Sequence, residues 1–324
     1  MERFDWRDGQ RVVHFGRGRL AEAVDLLGGP GYTLLTTKRA AELTLTEAAE
    51  AVHMVGAGRV DELADALLDE VTGERIVALG GGRVIDTAKA VAAGLGGARV
   101  LAVPTTLSGA EMTWVHRHAT RVAADTARVR PAVVVYDPAV AASQPVGELA
   151  ASALNALGHA AEAPCTTLAS PVPTLMALEA ARLIGGGFEA EPDRDGLALA
   201  ALLAGAAIDS AWYGLHHVLS QTAVRLCDVG HGPANAILLP HTLEALGRRF
   251  PDQHVRLGEA LGGEPSAVAA RICALTGATR LAELGVTEAQ LDACADAAAD
   301  RGELELTPPR ADRDELRAIY AAAL

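Results

Sequence analysis

The sequence predicts an α/β domain with a mostly parallel sheet over residues 1–140, followed by an all-helical domain over residues 141–324. Two observations lead to this prediction. Short β-branched runs alternate with alanine-rich amphipathic stretches as far as Asp137-Pro138, which is typical of βαβ units. Beyond that point the strand pattern almost vanishes. A length of 324 residues suits two medium domains.

Five strands are predicted in the first domain from their apolar, β-branched composition. They are Arg11–Phe15, Tyr32–Thr36, Arg75–Leu79, Arg99–Val103 and Ala132–Tyr136. Between them, Val60–Val71 and Val84–Ala93 have the apolar spacing of amphipathic helices. Because strands that alternate with such helices form crossover units, we expect the sheet to be mostly parallel.

The second domain is predicted to consist of helices separated by glycine and proline. They cover residues 149–168, 173–184, 196–226, 233–248, 252–262, 265–276, 287–299 and 312–323. We therefore expect no sheet in this half of the chain.

Composition excludes several classes of partner. Aromatic residues make up only 3%, too few for base-stacking platforms, and the net charge of −13 repels phosphate backbones and anionic lipids. No apolar run resembles a secretory signal or a membrane span. The four cysteines, Cys165, Cys227, Cys273 and Cys294, have no metal-binding spacing and are expected to be reduced thiols. We expect a cytoplasmic protein with a small-molecule substrate and neither a nucleic-acid nor a membrane partner.

A glycine-rich turn, Gly80-Gly81-Gly82, follows the third predicted strand and precedes a helix. Backbone N–H groups in such a turn can approach a pyrophosphate, and the helix N-terminus adds a favourable dipole. A plain tight turn is the alternative interpretation. The loop VPTTLSGAEMT, residues 103–113, follows the next strand, at the end of the sheet where open α/β folds bind ligands.

Histidines are concentrated in the second domain. Asn155 and His159 are four residues apart and so share one helix face, and His217 and His231 stand fourteen residues apart. Three imidazoles and an amide oxygen from separate helices could hold a divalent cation. The alternative is that they are packed core residues. Pro233 is expected to open a helix, which would place His231 near its positive end.

Together these motifs resemble a known family. GGGRVIDTAKA, VPTTLSGAEMT, LNALGHAAEA, GLHHVLSQ and HGPANAILLPHTL occur in the order seen in the iron-containing (group III) alcohol dehydrogenases. Asn155 where alcohol dehydrogenases have Asp, and the GLHH sequence, are similar to the maleylacetate reductase branch. The resemblance implies a dehydroquinate synthase-like architecture with a nicotinamide between the domains. It also implies NAD(P)H-dependent reduction of a carbon–carbon double bond conjugated to a ketone.

The resemblance also implies the site residues. Those expected to bind the dinucleotide are Gly80, Gly81, Gly82, Asp86, Thr105, Thr106 and Thr37. Those expected at the chemical centre, to orient the substrate and stabilise developing negative charge, are His216, His217 and His231. The candidate ligands of an iron or zinc ion are Asn155, His159, His217 and His231. Thr37 stands where NAD-preferring relatives often carry an acid that binds the ribose 2′-OH. The absence of this acid, with Lys38 and Arg39 adjacent, permits NADPH as well as NADH.

The sequence departs from the family pattern at two of these places. With Asn155 the metal site loses its only anionic ligand, so we expect weak or absent metal binding. Gln221 stands where relatives have a further histidine, and glutamine cannot donate a proton near neutral pH. Asp86 is open to a second interpretation, as an acid in the first turn of its helix.

The expected protein is a homodimeric NAD(P)H-dependent oxidoreductase acting on a small carboxylated enone or carbonyl compound. A metal-dependent alcohol or aldehyde dehydrogenase is one alternative, with Asn155 as a neutral ligand. A non-redox enzyme or binding protein on the same scaffold is the other. Bound nucleotide would separate the last from the first two, and bound metal would separate the first two from each other.

Overall fold

The computed structural model describes all 324 residues, which form two compact units, Met1–Ser143 and Gln144–Leu324. The first unit is built on a seven-stranded, mostly parallel sheet, and the second contains helices and no strand. This is the predicted fold class, an α/β domain followed by an all-α domain.

The sheet of the first unit has the strand order β1-β2-β7-β6-β5-β3-β4, and only β1 and β2 pair antiparallel. Its elements in chain order are β1 (Phe4–Asp8), β2 (Arg11–Phe15), α1 (Ala23–Leu26), β3 (Tyr32–Thr36), β4 (Ala49–Met54), α2 (Val60–Leu67), β5 (Arg75–Gly80), α3 (Gly82–Leu95), β6 (Arg99–Pro104), β7 (Val133–Tyr136) and α4 (Pro138–Ala141).

The predicted strands all form, but the sequence pattern misses β1 and β4. Both lie at the edges of the sheet and alternate between half-buried and exposed residues. They therefore lack the continuous apolar run that a strand buried on both faces requires. Helix α3 begins at Gly82, two residues before its predicted start, and α2 ends at Leu67, four residues before its predicted end.

The central strands bring their loops to one edge of the sheet. β3, β5 and β6 are parallel, with Thr36 opposite Leu79 and Gly80 opposite Pro104. Their residues are almost entirely buried, and apolar side chains pack on both faces of the sheet. The segments that begin at Thr37, Gly81 and Thr105 consequently leave from the same edge.

The second unit contains nine helices. In chain order they are α5 (Val146–Glu162), α6 (Pro171–Gly186), α7 (Arg194–Ala211), α8 (Leu215–Cys227), α9 (His231–Arg249), α10 (Pro251–Leu261), α11 (Pro265–Cys273), α12 (Glu288–Ala299) and α13 (Arg313–Ala323). The buried faces of these helices are rich in alanine and leucine, as the low aromatic content requires.

The prediction of one helix over residues 196–226 is wrong, because α7 and α8 meet at a bend of 101°. Trp212 at the bend has a positive φ of 59°, and a side chain at Gly214 would come within 2.5 Å of Thr307. No single helix has the length and apolar composition of a membrane span, although the bent pair α7 and α8 meets that criterion jointly. The bend positions the N-terminus of α8.

Candidate active site

In the first unit, the glycine turn lies at the carboxyl end of the central strand β5. The Thr105 N–H donates to the Gly80 carbonyl oxygen over 3.0 Å, which ties the turn to the loop after β6. A Cβ atom at Gly80 would lie 2.6 Å from Val84, and one at Gly81 would lie 2.9 Å from Thr106. Close packing therefore requires glycine at both positions.

Asp86 lies in the second turn of α3, so its interpretation as an acid in the first turn is wrong. Its Oδ1 is 2.7 Å from Nζ of Lys89, which is fully buried. The same Nζ donates to the carbonyl oxygens of Ala110, Thr113 and Val115 at 2.8–3.0 Å. Asp86 thus lies against the lysine that holds the loop after β6 in place.

The three threonines expected at the dinucleotide lie at the same edge of the sheet as the glycine turn. Thr37 follows β3 and accepts the Ala40 N–H over 3.3 Å, while Lys38 and Arg39 beside it are exposed. Thr105 and Thr106 follow β6 and are partly exposed. The structure brings these residues together, and their role in binding a dinucleotide stays a prediction.

In the second unit, helices α5 and α8 bring three histidines into ring contact. His159 stacks on His217 with ring centroids 4.7 Å apart and an angle of 11° between the planes. His216 meets His217 edge-on at 5.0 Å. Gly158 allows this approach, because a Cβ there would lie 2.7 Å from Cδ2 of His216. All three imidazoles are buried.

Glu162 organises this cluster, and the sequence analysis missed it. Its fully buried carboxylate accepts the backbone N–H groups of Gly214, His216 and His217 at 3.2, 2.6 and 3.4 Å. Its Oε2 also lies 2.5 Å from Nδ1 of His217. Glu162 therefore caps α8 from a different helix, and at a separation of 52 residues from Gly214 no local capping pattern could reveal it.

The charge states of this cluster follow from its burial. Burial lowers the pKa of both His216 and His217 to about 3, so both imidazoles are neutral at pH 7. Burial also raises the pKa of Glu162, whereas the nearby His216 and the three backbone N–H groups favour its charged form. Nε2 of His216 and Nε2 of His217 are buried without a hydrogen-bond partner.

His231 is the first residue of α9, so the prediction that Pro233 opens this helix is wrong by two residues. Nε2 of His231 lies 2.9 Å from Nδ2 of Asn235, which also donates to the His231 carbonyl oxygen over 3.0 Å. Unlike the other histidines of the site, His231 is exposed. Asn235 thus engages one of its two ring nitrogens.

The candidate metal ligands Asn155, His159, His217 and His231 do not fit a divalent ion. The three histidines do not form a group that could hold a metal. Nε2 of His231 faces Asn235, and Asn155 offers only a neutral amide oxygen. Because Nε2 of His231 is engaged by Asn235 and Asn155 brings no negative charge, these residues as arranged do not fit iron or zinc.

Gln221, one turn along α8 from His217, lies in a separate polar network. Its Oε1 accepts from Arg301 over 3.1 Å, and Arg301 pairs with Glu303 at 2.7 Å. Glu303 also accepts the Tyr213 hydroxyl over 3.2 Å, and the Tyr213 ring lies 5.6 Å from that of His217. Burial raises the pKa of Tyr213 to about 12, so its phenol keeps its proton at neutral pH.

Two family models match the chain. The C-terminal model of the Fe-containing alcohol dehydrogenase family matches residues 149–324, and the iron-containing alcohol dehydrogenase model matches residues 11–138. The chain belongs to the iron-containing alcohol dehydrogenase family. Both units are covered, so the family resemblance seen in the sequence motifs is confirmed.

Curated relatives point to one branch of the iron-containing alcohol dehydrogenases. A maleylacetate reductase from Rhodococcus opacus is 32% identical over 256 residues, covering 74% of this chain and 71% of that protein. One from Rhizobium sp. strain MTP-10005 is 32% identical over 273 residues, covering 81% and 71%. The crystal structure of maleylacetate reductase from Agrobacterium tumefaciens superposes with a TM-score of 0.84 at 25% identity, covering 100% and 99%. These findings confirm the maleylacetate reductase branch and support an oxidoreductase.

Proposed function

We propose that this protein transfers a hydride from NADPH or NADH to a small carboxylated enone or carbonyl compound, with maleylacetate as the leading candidate. The observation that supports this most is the 32% identity to a maleylacetate reductase over 74% of the chain. The residues that carry the resemblance lie in two groups, one in each unit, and each group suits one half of the reaction.

The first group suits the dinucleotide. The N–H groups of Gly80–Gly82 and the N-terminus of α3 suit a pyrophosphate, and Asp86 would stand at the nicotinamide end. Thr37, Thr105 and Thr106 would line the nucleotide. Because Lys38 and Arg39 are exposed next to Thr37, a 2′-phosphate would find a cation there, which supports NADPH alongside NADH.

The second group suits the substrate. When hydride adds to the carbon–carbon double bond, the electron pair of that bond moves onto the carbonyl oxygen as an enolate, which a proton later converts to the ketone product. Because the Asn235 amide N–H occupies Nε2 of His231, the imidazole proton lies on Nδ1, where it can be donated to the developing oxyanion. His216 and His217 are neutral and offer Nε2 lone pairs, so they would orient the substrate.

The experiment that tests the proposal has two stages. Calorimetric titration with NADH and NADPH should show binding of at least one, and steady-state assays should then show its oxidation with maleylacetate. A panel of small aldehydes serves as the comparison for substrate class. If neither dinucleotide interacts at millimolar concentration, the oxidoreductase proposal fails.

A metal-dependent alcohol dehydrogenase is the second candidate. It is supported by a 1,3-propanediol dehydrogenase from Klebsiella pneumoniae that is 33% identical over 216 residues, covering 60% of this chain and 55% of that protein. Chelator-washed protein distinguishes the two candidates. Reduction of maleylacetate that is insensitive to chelation supports the first, and oxidation of diols only after zinc or ferrous iron is added supports the second.

A further inference from the structure

The four contacts of Glu162 raise the question of where one hydrogen lies. Oε1 accepts the backbone N–H groups of Gly214 and His216, and Oε2 faces both the N–H and Nδ1 of His217. Backbone N–H groups can only donate. The hydrogen between Oε2 and Nδ1 is therefore the only one with two possible positions, on the carboxyl group or on the imidazole.

The N-terminus of α8 decides between the two positions. Its unpaired N–H groups and its dipole stabilise negative charge on Glu162, so the hydrogen belongs on Nδ1 of His217. The neutral imidazole then has its lone pair on Nε2, the atom that is buried without a partner.

The neighbouring imidazole is fixed in the same way by a hydroxyl group. Thr242 Oγ1 donates its single hydrogen to the Leu239 carbonyl oxygen over 3.0 Å. The 2.9 Å contact between this oxygen and Nδ1 of His216 is then satisfied only if the imidazole donates. Nε2 of His216 is then an acceptor as well, and neither Nε2 atom has a hydrogen-bond partner.

We propose that Glu162 is a positioning residue that holds His217 as the Nδ1–H tautomer, so that Nε2 of His217 is a hydrogen-bond acceptor. An ordered water can join this acceptor to a carboxylate or carbonyl oxygen of the substrate, because the water donates one hydrogen to each. The identity of that substrate rests on the proposed function. The tautomer itself does not.

The test measures the tautomer directly. Protein labelled with 15N-histidine is studied by two-bond proton–nitrogen correlation spectra, and His217→Gln identifies the His217 signals. In the wild type, the ring proton of His217 should be on Nδ1, and Nε2 should show the shift of a lone-pair nitrogen. Finding the proton on Nε2 in the wild type would overturn the proposal.

Glu162→Gln should reverse the tautomer. Its amide oxygen would take the place of Oε1 and accept the two N–H groups, so its NH₂ group would face Nδ1 and donate to it. His217 would then carry its proton on Nε2, and kcat/KM should fall about 10- to 100-fold, the usual effect of losing an outer-shell partner, with dinucleotide affinity unchanged. Glu162→Asp keeps an anionic acceptor and should retain the Nδ1–H tautomer.

Glu148→Gln is the matched control, because Glu148 lies on the same helix α5 and is exposed. It should change neither the spectrum nor turnover. An unchanged tautomer in Glu162→Gln contradicts the proposal, and if that variant does not fold, the wild-type spectrum decides alone. If no substrate of the panel supports NAD(P)H oxidation, the proposed function fails while the tautomer measurement still stands or falls by itself.

Discussion

Glu111 and Glu162 are both fully buried, one in each unit of the chain, and their surroundings are opposite. Glu162 accepts three backbone N–H groups and the Nδ1–H of His217. Glu111, in the loop after β6, has no hydrogen-bond partner at either oxygen. Burial raises its pKa to about 7, although the charges of Lys89 and Arg11 oppose the shift.

The difference shows what makes a buried carboxyl group useful to a site. Donors from a helix terminus favour charge on Glu162, and the charged group in turn orients an imidazole. At Glu111 burial outweighs the groups that favour the charged form, so its carboxyl group takes up a proton as the pH falls through about 7. In the first unit, close packing at the glycine turn and the buried Lys89 shape the loops of the proposed dinucleotide site. In the second unit, a buried carboxylate holds an imidazole of the histidine cluster.

The largest loss of activity is expected from changes to the histidines of the second unit. His231→Ala and His217→Ala should each lower kcat/KM by roughly 10²–10⁴, the usual value of an oxyanion donor or a positioned acid or base. Dinucleotide affinity should stay largely intact. His241→Ala is the control, since His241 lies on the same helix as His231. Unchanged turnover in both variants would show that these histidines are packed helix residues with no role in the reaction.

The second prediction concerns Glu111 and stability against pH. The unfolded carboxyl ionises near 4.5 and the folded one near 7, so the folded state binds more protons between these values. Stability should therefore fall by about 3 kcal/mol as the pH rises through this window. Glu111→Gln should abolish that loss in urea unfolding, whereas the exposed Glu74→Gln should keep it. Parallel curves for wild type and Glu111→Gln would contradict the prediction.

Gly81→Ala tests the packing between the glycine turn and the loop after β6 in the first unit. Its Cβ would meet Thr106 at 2.9 Å, so the loops must separate, at a cost of about 1–3 kcal/mol in unfolding free energy. Dinucleotide affinity should fall with it, and adding Thr106→Ser should restore part of both. Gly97→Ala, where the Cβ has no neighbour within 4 Å, is the control. Calorimetry that shows unaltered affinity in Gly81→Ala would refute the role of the turn.

Two substitutions in the second unit should raise its affinity for a divalent metal. Asn155→Asp adds an anion beside His159, and Asn235→Ala frees Nε2 of His231. The double variant should bind zinc or ferrous iron about 10- to 100-fold more tightly than the wild type, because it gains a charged ligand and a free imidazole nitrogen. Stoichiometric metal in chelator-washed wild-type protein, measured by elemental analysis, would contradict this.

The smallest expected effect is on the choice of dinucleotide. Lys38→Gln and Arg39→Gln should each weaken NADPH relative to NADH by about tenfold, the loss of one charge-assisted contact. The ratio of the two KM values measures this. Arg59→Gln changes an exposed arginine of the same unit that pairs with Asp61, and should leave the ratio as it is. An unchanged ratio of KM values in both test variants would show that the 2′-phosphate does not bind this loop.

The elements of the first unit could be predicted most completely from the sequence, because the patterns that predict them are local. Strands Arg11–Phe15 and Tyr32–Thr36 match the prediction residue for residue, since each is a short run rich in β-branched and aromatic residues. The glycine turn and the threonine loop also lie at the edge where parallel topology puts them. The edge strands β1 and β4, whose side chains alternate between half-buried and exposed, escaped the pattern.

The second unit was harder because its decisive contacts join distant segments. The break at Trp212–Gly214 depends on the approach of Thr307, and the helix after it is capped by Glu162. Neither contact leaves a mark on the local sequence. The histidines could be singled out by their motifs, but which ring nitrogen of His231 is occupied depends on the rotamer of Asn235.

We propose that hydride passes from a nicotinamide to a small conjugated ketone in this protein. The most direct measurement uses NADPH or NADH deuterated at the transferred position of nicotinamide C4, with maleylacetate as substrate and mass spectrometry of the product. We expect a product that carries one deuterium on carbon, together with oxidised dinucleotide in equal amount. Maleylacetate recovered without deuterium, with the dinucleotide unoxidised, would contradict it.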